Sequence, residues 1–361
     1  MIIALDKYAD LKAKATDYAK TCKDVIVNNR EYIADYVLGT ALGGGKERVS
    51  DNAYRQILAH HGIPCGFASK LEKLGLGSTT LMNTISDISK EIPDTPRMIR
   101  YTTDKDGNPI ARAFLSNSYE RLDNMEVIEA IEDSKLGDFG LTMKSANITD
   151  DYLQMSFVSE KLTESVTVGD ELQFGVSIHN SEVGLSSFRI VPFVYRLVCS
   201  NGMVAASSDG LGVYRRFHIG KKQELGELLP ACEVATEERR LSPKVIREKV
   251  AELLSQDKIE KIMAQIKEKA EQIIDAPTIQ IVANLRKEIV LTDKEADLIA
   301  SHIDESDVAG PTSVYSVMNA VTKAAHTAKD YDRNIELQQL GWRILHNTSA
   351  KTYERPVKIA A

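Results

Sequence analysis

Hydrophobic and polar positions divide this chain into three stretches of different period. Up to about residue 90, apolar residues recur at helical spacing, as at Tyr8, Leu11, Ala15 and Tyr18. Between about residues 97 and 220 they alternate with polar residues, and beyond about residue 240 the helical spacing returns. Because side chains repeat about every 3.6 residues in a helix and every two residues in a strand, this order predicts helices, then strands, then helices.

The alternating stretch contains the clearest local signals. Asp104-Lys105-Asp106-Gly107-Asn108 separates two apolar runs and predicts a hairpin turn. Asp123 or Asn124 then precedes a helical stripe, and further alternating runs follow it. We therefore predict an α+β fold, in which one antiparallel sheet spans residues 97–200 and the helix at 124–134 packs against it.

Helical stretches on both sides flank this central sheet. Residues 1–90 are predicted to form an N-terminal helical region, residues 91–225 a central α+β domain, and residues 240–350 a C-terminal helical region. In the last region, Ser242-Pro243 is typical of a helix start. Apolar residues then recur from Ile246 to Ile273 without glycine or proline, which predicts a single long helix.

Composition restricts the classes of function. The chain has 361 residues and a formal net charge of -7, which argues against a wholly basic nucleic-acid binder. No apolar run approaches the roughly 20 residues of a membrane helix, and the N-terminus does not resemble a signal peptide, so we expect a cytoplasmic protein without a membrane partner. Four scattered cysteines and seven histidines show no metal-ligand spacing, so no metal or cofactor is expected.

Four polar residues interrupt the apolar central runs: Asn180, Glu182, Arg196 and Asn201. Burying such groups costs free energy unless they are hydrogen-bonded or paired, so they are either turn residues at strand ends or a built polar site. In a site they would converge, with Glu182 paired to a cation or to backbone N–H groups. A hydrolytic or metal-assisted enzyme could then use Glu182 as acid or base and His218 as a second proton-transfer group.

The densest basic segment, residues 214–222, mixes cationic and aromatic side chains. Cationic side chains pair with phosphates and aromatic faces stack on unpaired bases, so the segment is a candidate nucleic-acid interface. The alternative is an exposed charged strand followed by a loop. The candidate nucleic-acid-binding residues are Tyr214, Arg215, Arg216, Phe217, His218, Lys221 and Lys222.

Five separated parts of the chain share one resemblance: Arg112–Tyr119 with Leu122–Asn124, Asn180–Gly184, Tyr195–Met203, Arg216–His218 and Asn319–Thr322. As a set they resemble the phage/plasmid-like protein family catalogued as domain of unknown function 932. The first part resembles the family's RAFLSDRY and LDN segments, but Asn117 and Ser118 replace an acidic and a basic residue. The resemblance implies a gene carried by a phage, prophage or plasmid, and it implies no reaction.

Three classes of function are compatible with these observations. The leading hypothesis is a nucleic-acid-handling protein that binds or anneals single-stranded DNA in phage recombination, with a groove formed by the sheet and the basic segment 214–222. The order hairpin, helix, meander is also similar to the core of phage single-strand annealing proteins. The C-terminal helices of the chain would support a homo-oligomer. The alternatives are the enzyme with Glu182 and His218, and a non-catalytic or defence-related protein that binds a host or phage protein.

Overall fold

The computed structural model describes residues 3–41, 49–104, 106–198, 201–205, 214–216, 218, 226–228, 241–306, 308, 310–328 and 331–357. The α-helices are α1 (Ile3–Thr21), α2 (Asn29–Ala41), α3 (Asp51–His60), α4 (Cys65–Lys73), α5 (Met82–Glu91), α6 (Asn124–Asp133), α7 (Pro243–Leu253), α8 (Gln256–Glu271), α9 (Thr278–Glu288), α10 (Asp293–Asp304), α11 (Val314–Ala324), α12 (Tyr331–Asn347) and α13 (Ala350–Tyr353). The strands are β1 (Lys23–Asn28), β2 (Pro96–Thr103), β3 (Pro109–Ser116), β4 (Leu141–Ile148), β5 (Leu153–Thr167), β6 (Asp170–Asn180), β7 (Phe188–Arg196), β8 (Asn201–Val204), β9 (Tyr214–Arg216) and β10 (Gly226–Leu228). Helices therefore flank a β-rich centre, and the fold is α+β as predicted.

The strands form two antiparallel sheets, so the prediction of one sheet over residues 97–200 is wrong. The first sheet has the order β10-β1-β2-β3, and the second has the order β4-β5-β6-β7-β8 with β9 paired to β7. The hairpin of β2 and β3 turns at Gly107 as predicted. The other neighbour of β2 is β1, a strand inside the region predicted to be helical. Alternation identifies strands, but it carries no information about which distant strand will be the partner.

The second sheet packs against two different sets of helices. Around Ile178 and Ile190, its apolar residues share a core with α1, α6 and α7. Around Leu172 and Val194, they share a core with α8 and the helices that follow. The first sheet packs instead against α2 to α5. Segments from both ends of the chain therefore cover the central strands.

The apolar stripe from Ile246 to Ile273 forms two helices, so the prediction of one long helix is wrong. Helix α7 ends at Leu253, and α8 begins at Gln256 with Ser255 as its N-cap. Ile246 buries its side chain in the core shared with α1 and α6, whereas Ile259 buries its side chain in the C-terminal core. A single straight helix would not bury the whole stripe in both cores. The break at 254–255 allows α7 and α8 to pack their apolar faces into different cores.

Local start signals were more reliable than helix lengths. Ser50 accepts a hydrogen bond from the Ala53 backbone N–H at the start of α3. Asp123 and Glu126 form a capping box at the start of α6, and Thr292 and Glu295 form one at the start of α10. Each of these motifs satisfies N–H groups that the helix itself leaves unpaired.

Candidate functional site

The polar segment after β6 is where the two sheets are joined. The Val183 carbonyl accepts hydrogen bonds from Asn52 Nδ2 at 3.1 Å and from Gln56 Nε2 at 2.7 Å. The Glu182 carbonyl accepts one from Arg100 Nη1 at 2.9 Å. Side chains from α3 and β2 therefore hold the backbone at the end of β6, and this segment has a structural role.

Gly184 closes this segment with a backbone conformation that favours glycine. Its φ is +83°, in the left-handed region, and a Cβ atom at this position would lie 2.5 Å from Leu115 Cδ2. Any larger residue would therefore meet both an unfavourable φ and a clash with β3. The glycine allows the chain to turn while it stays in contact with the first sheet.

The Glu182 side chain is paired on both carboxylate oxygens. Oε2 accepts from Arg112 Nη1 at 3.0 Å, and Oε1 accepts from the Asn124 backbone N–H at 2.7 Å, at the start of α6. Asn180 Nδ2 donates to Asn124 Oδ1 at 2.9 Å beside it. The expectation that Glu182 meets a cation or backbone N–H groups is confirmed, with Arg112 as the cation. Because both oxygens are occupied, this geometry does not favour an acid or base role.

Arg100 is the centre of the same network, and its side chain is fully buried. Its Nε lies 2.9 Å from Asp24 Oδ1, and its Nη2 lies 2.6 Å from Asp123 Oδ1. Arg121 Nη1 lies 3.2 Å from Asp24 Oδ2. Burial raises the pKa of Asp123, and the Arg100 guanidinium opposes that rise. We call this set the joint cluster; its members are Asp24, Arg100, Arg112, Arg121, Asp123 and Glu182.

Arg196 and Asn201 lie far from the joint cluster, so the predicted convergence of the four polar residues is wrong. Arg196 is opposite Leu172 on β6 and opposite Asn201 on β8, whereas Asn180 is at the other end of β6. Eight residues of strand separate Leu172 from Asn180, which is roughly 26 Å. Arg196 Nε pairs instead with Asp170 Oδ1 at 2.6 Å. The two motifs do lie on adjacent strands, β6 and β7. Asn180 and Arg196, however, are at opposite ends of this strand pair.

A second polar group crosses the second sheet. Gln154 on β5 is opposite His179 on β6, His179 is opposite Arg189 on β7, and Arg189 is opposite Arg215 on β9. Directly opposed residues of antiparallel strands project from the same face of a sheet. We call these four residues the polar row.

The polar row differs from the joint cluster because several of its buried atoms have no partner. Within the part of the chain that the structure describes, Gln154 Oε1, His179 Nε2 and Arg189 Nε make no hydrogen bond. Gln154 is 2% exposed and His179 is 6% exposed. Burial lowers the pKa of His179 and of Arg189, and the neighbouring Arg215 charge lowers that of Arg189 further. An unpaired buried polar group is costly, so such a group requires an explanation.

Two cavities meet at Arg189. We call the larger one the outer cleft; it is open to solvent and has a volume of about 440 Å³. Its described lining residues are Tyr119, Gly184, Leu185, Ser186, Ser187, Arg189, Arg215 and His218. We call the smaller one the inner cavity; its volume is about 200 Å³. Its described lining residues are Tyr152, Gln154, His179, Arg189, Ile335, Glu336 and Gln339.

The candidate basic segment is divided between two faces of the sheet, because side chains alternate along β9. Arg215 is exposed and lines the outer cleft. Arg216 is on the opposite face, with its Nη2 2.9 Å from Glu120 Oε1. The Tyr214 ring packs edge-on against Phe188, with ring centroids 6.1 Å apart. Arg215 and Arg216 therefore face opposite sides of the sheet, and a nucleic-acid role for the segment stays a prediction.

Of the other four candidate residues in the basic segment, the structure describes His218. His218 lines the outer cleft and stacks on the Tyr119 ring with centroids 5.1 Å apart. Its Nδ1 lies 3.1 Å from the Glu120 carbonyl oxygen, and burial lowers its pKa to about 4. A neutral imidazole at pH 7 is no phosphate cation. Phe217, Lys221 and Lys222 lie outside the described residues.

The sequence patterns did not single out Gln154 or Arg189. A usable signal was present, because Gln154 and Ser156 on one strand, and Ser177 and His179 on the next, are polar at every second position. Polar residues on a face that is otherwise apolar indicate either a solvated face or a site. Only strand register shows that they align with Arg189.

Neither a metal cluster nor a membrane-spanning helix is present in the described ranges. Within them, no group of three or more histidine, cysteine, aspartate or glutamate side chains is placed to hold a metal ion. No helix in the described part of the chain is long and apolar enough to cross a membrane.

Comparison with known proteins assigns the family. The model of the domain of unknown function DUF932 matches residues 113–339, well over half of the chain, so the protein belongs to the DUF932 family. The matched range includes the polar row and every described lining residue of the outer cleft. No curated protein and no solved structure matches the chain significantly.

Proposed function

We propose that the protein binds single-stranded nucleic acid in the outer cleft. Arg189 and Arg215 are directly opposed there, and none of the described lining residues is a carboxylate. Guanidinium groups form strong charge-assisted hydrogen bonds with phosphate, so two of them side by side favour a phosphodiester. These opposed arginines are the observation that carries the proposal.

The rings in the cleft favour a single strand over a duplex. Tyr119 and His218 are stacked with their ring planes 14° apart, and both residues line the cleft. Bases of an unpaired strand can stack on such rings, whereas the bases of a duplex are already stacked on one another. A cleft with both cations and rings therefore suits an unpaired strand.

The overall negative charge of the chain opposes the approach of a nucleic acid from a distance. A net charge of -7 repels a polyanion at long distance and slows encounter. At physiological salt, however, exposed charges are screened beyond about 8 Å. Binding would therefore rest on contacts inside the cleft, with weak attraction beyond it.

On the family relationship, we propose further that a phage or plasmid encodes the protein and that it acts in the host cytoplasm. Annealing of single strands during recombination, by a homo-oligomer, is the activity that we propose for it. Binding of a host or phage protein is the second candidate, favoured by Phe67 and Leu74, whose apolar side chains are exposed near α4.

The test is a double variant, Arg189→Ser with Arg215→Ser, titrated with a fluorescent oligo(dT) at two salt concentrations. We expect affinity to fall at least tenfold and the salt slope to flatten by about 0.7 for each lost phosphate contact. The matched control is Arg286→Ser with Arg355→Ser, which removes the same charge outside the lining of both cavities. Equal affinities of the two double variants, or no binding by the parent, would contradict the proposal.

A further inference from the structure

The inner cavity has the size of a site for one ring system. At about 200 Å³ it is smaller than the roughly 300–1,000 Å³ of pockets that hold drug-sized ligands. It would accept several water molecules, each with a share of about 30 Å³, or one planar group of similar total volume. It lies between the polar row and α12, and it shares Arg189 with the outer cleft.

Its buried polar atoms present both an acceptor and a donor. Gln154 is held by hydrogen bonds from its Nε2 to Ser177 Oγ at 3.0 Å and Ser156 Oγ at 3.3 Å, while its Oε1 makes none within the described residues. Arg189 Nε is a donor without a partner in the same part of the chain. A ligand that offers both a donor and an acceptor would match these two groups.

The remaining described walls are compatible with a planar, uncharged ring. Ile335 and Tyr152 provide apolar contact area, and His179 is a deeply buried imidazole whose Nε2 has no partner among the described residues. The single carboxylate of the described lining, Glu336, is 58% exposed and lies 2.6 Å from Arg333 Nη1. Arg333, on the same helix, also pairs with Glu295, whose Oε1 lies 2.7 Å from its Nε, so it offsets the Glu336 charge only in part.

We propose that the inner cavity holds one nucleobase of the strand whose phosphate lies between Arg189 and Arg215. The inference rests on the proposed function, and it adds a contact with a base to the contact with the phosphate. Every base has an edge with hydrogen-bond donors and acceptors, and proteins read unpaired bases through those edges. An unpaired strand can turn a base into a pocket at low cost, because no base pair has to be broken.

The experiment compares ligands that differ by the base alone. The purified full chain is titrated calorimetrically with the four deoxynucleoside 5′-monophosphates, with deoxyribose 5-phosphate and with inorganic phosphate. We expect at least one nucleotide to bind about tenfold more tightly than deoxyribose 5-phosphate, in line with the contribution of one bound base. Equal binding of all the phosphates would overturn the inference, because the site would then recognise an anion only.

Two variants separate the base contact from the phosphate contact. Gln154→Met should abolish the preference for the nucleotide while deoxyribose 5-phosphate still binds, which also shows that the site is folded. Gln173→Met is the matched control, since Gln173 is buried with an unpartnered Oε1 but lines neither cavity among the described residues. A preference that survives Gln154→Met would overturn the assignment of the cavity.

The proposed function fails separately from this inference. If mononucleotides show base preference but oligo(dT) does not bind, single-strand binding is wrong and the inner cavity still holds a base. If oligo(dT) binds with the expected salt slope but no mononucleotide is preferred, the outer cleft binds the strand and the base pocket is wrong.

Discussion

The joint cluster and the polar row are both groups of buried polar and charged side chains, and they differ in how completely those side chains are bonded. In the joint cluster three carboxylates face three guanidinium groups, and Arg112 Nε is the one buried side-chain atom of the six residues that lacks a partner within the described chain. In the polar row two arginines face each other, and atoms on three of its four residues lack partners there.

This difference separates a structural role from a binding role. A buried charge network is tolerated when each charge meets its opposite, and breaking it is costly because a charge is left buried alone. A buried donor or acceptor without a partner lowers stability, and proteins retain such groups where a ligand can satisfy them. The polar segment at 180–184 therefore belongs to the fold, whereas Arg189 belongs to the candidate site.

The largest effect is expected from Arg100→Met in the joint cluster. The substitution leaves Asp24 and Asp123 buried with too few cations, so the free energy of unfolding should fall by at least about 3 kcal/mol. Denaturant unfolding measures it. Lys90→Met is the control, because Lys90 and Asp87 form an exposed pair and such pairs contribute little. A loss below about 1 kcal/mol for Arg100→Met would contradict the structural role of the cluster.

An intermediate effect is expected at His218, which lines the outer cleft together with Arg189. Its pKa is lowered from 6.5 to about 4, first of all by burial, so the unfolded chain takes up a proton before the folded protein does. Stability is therefore lost as the pH falls from about 6.5 towards 4. Relative to His218→Gln, the parent should lose about 3 kcal/mol more between pH 7 and pH 4. Parallel pH profiles of the two proteins would show that His218 is not buried in the neutral form.

The smallest effect on stability is expected from Arg189→Met in the polar row. This substitution removes a half-buried cation that faces another cation, so the free energy of unfolding should change by less than about 0.5 kcal/mol or rise. Arg189→Met and Arg100→Met replace the same residue type with the same residue type. The two changes in the free energy of unfolding therefore compare the polar row with the joint cluster directly. A loss of several kcal/mol at Arg189 would mean that it has a structural partner, and the binding role would then be withdrawn.

Much of the local structure could be predicted from the sequence. The α+β class, the hairpin at Gly107 and the capping residues Ser50 and Thr292 follow from short patterns that act over a few residues. The sequence also suggested that polar residues near 180 would be paired, because buried polar groups require partners. It could not show that Arg112 would be the partner of Glu182, since 70 residues of chain separate them.

The sequence by itself determined the α+β class, the order of helical and strand-rich stretches, and where several helices begin. These properties depend on backbone geometry and on the free energy of burial, which act locally. Tertiary structure alone decided that β1 completes the first sheet, that the stripe from Ile246 divides between two cores, and that Arg189 comes to face Arg215. Strand register and helix packing arise from contacts between distant segments, and a one-residue change of register would move every side chain of the polar row to the other face of the sheet.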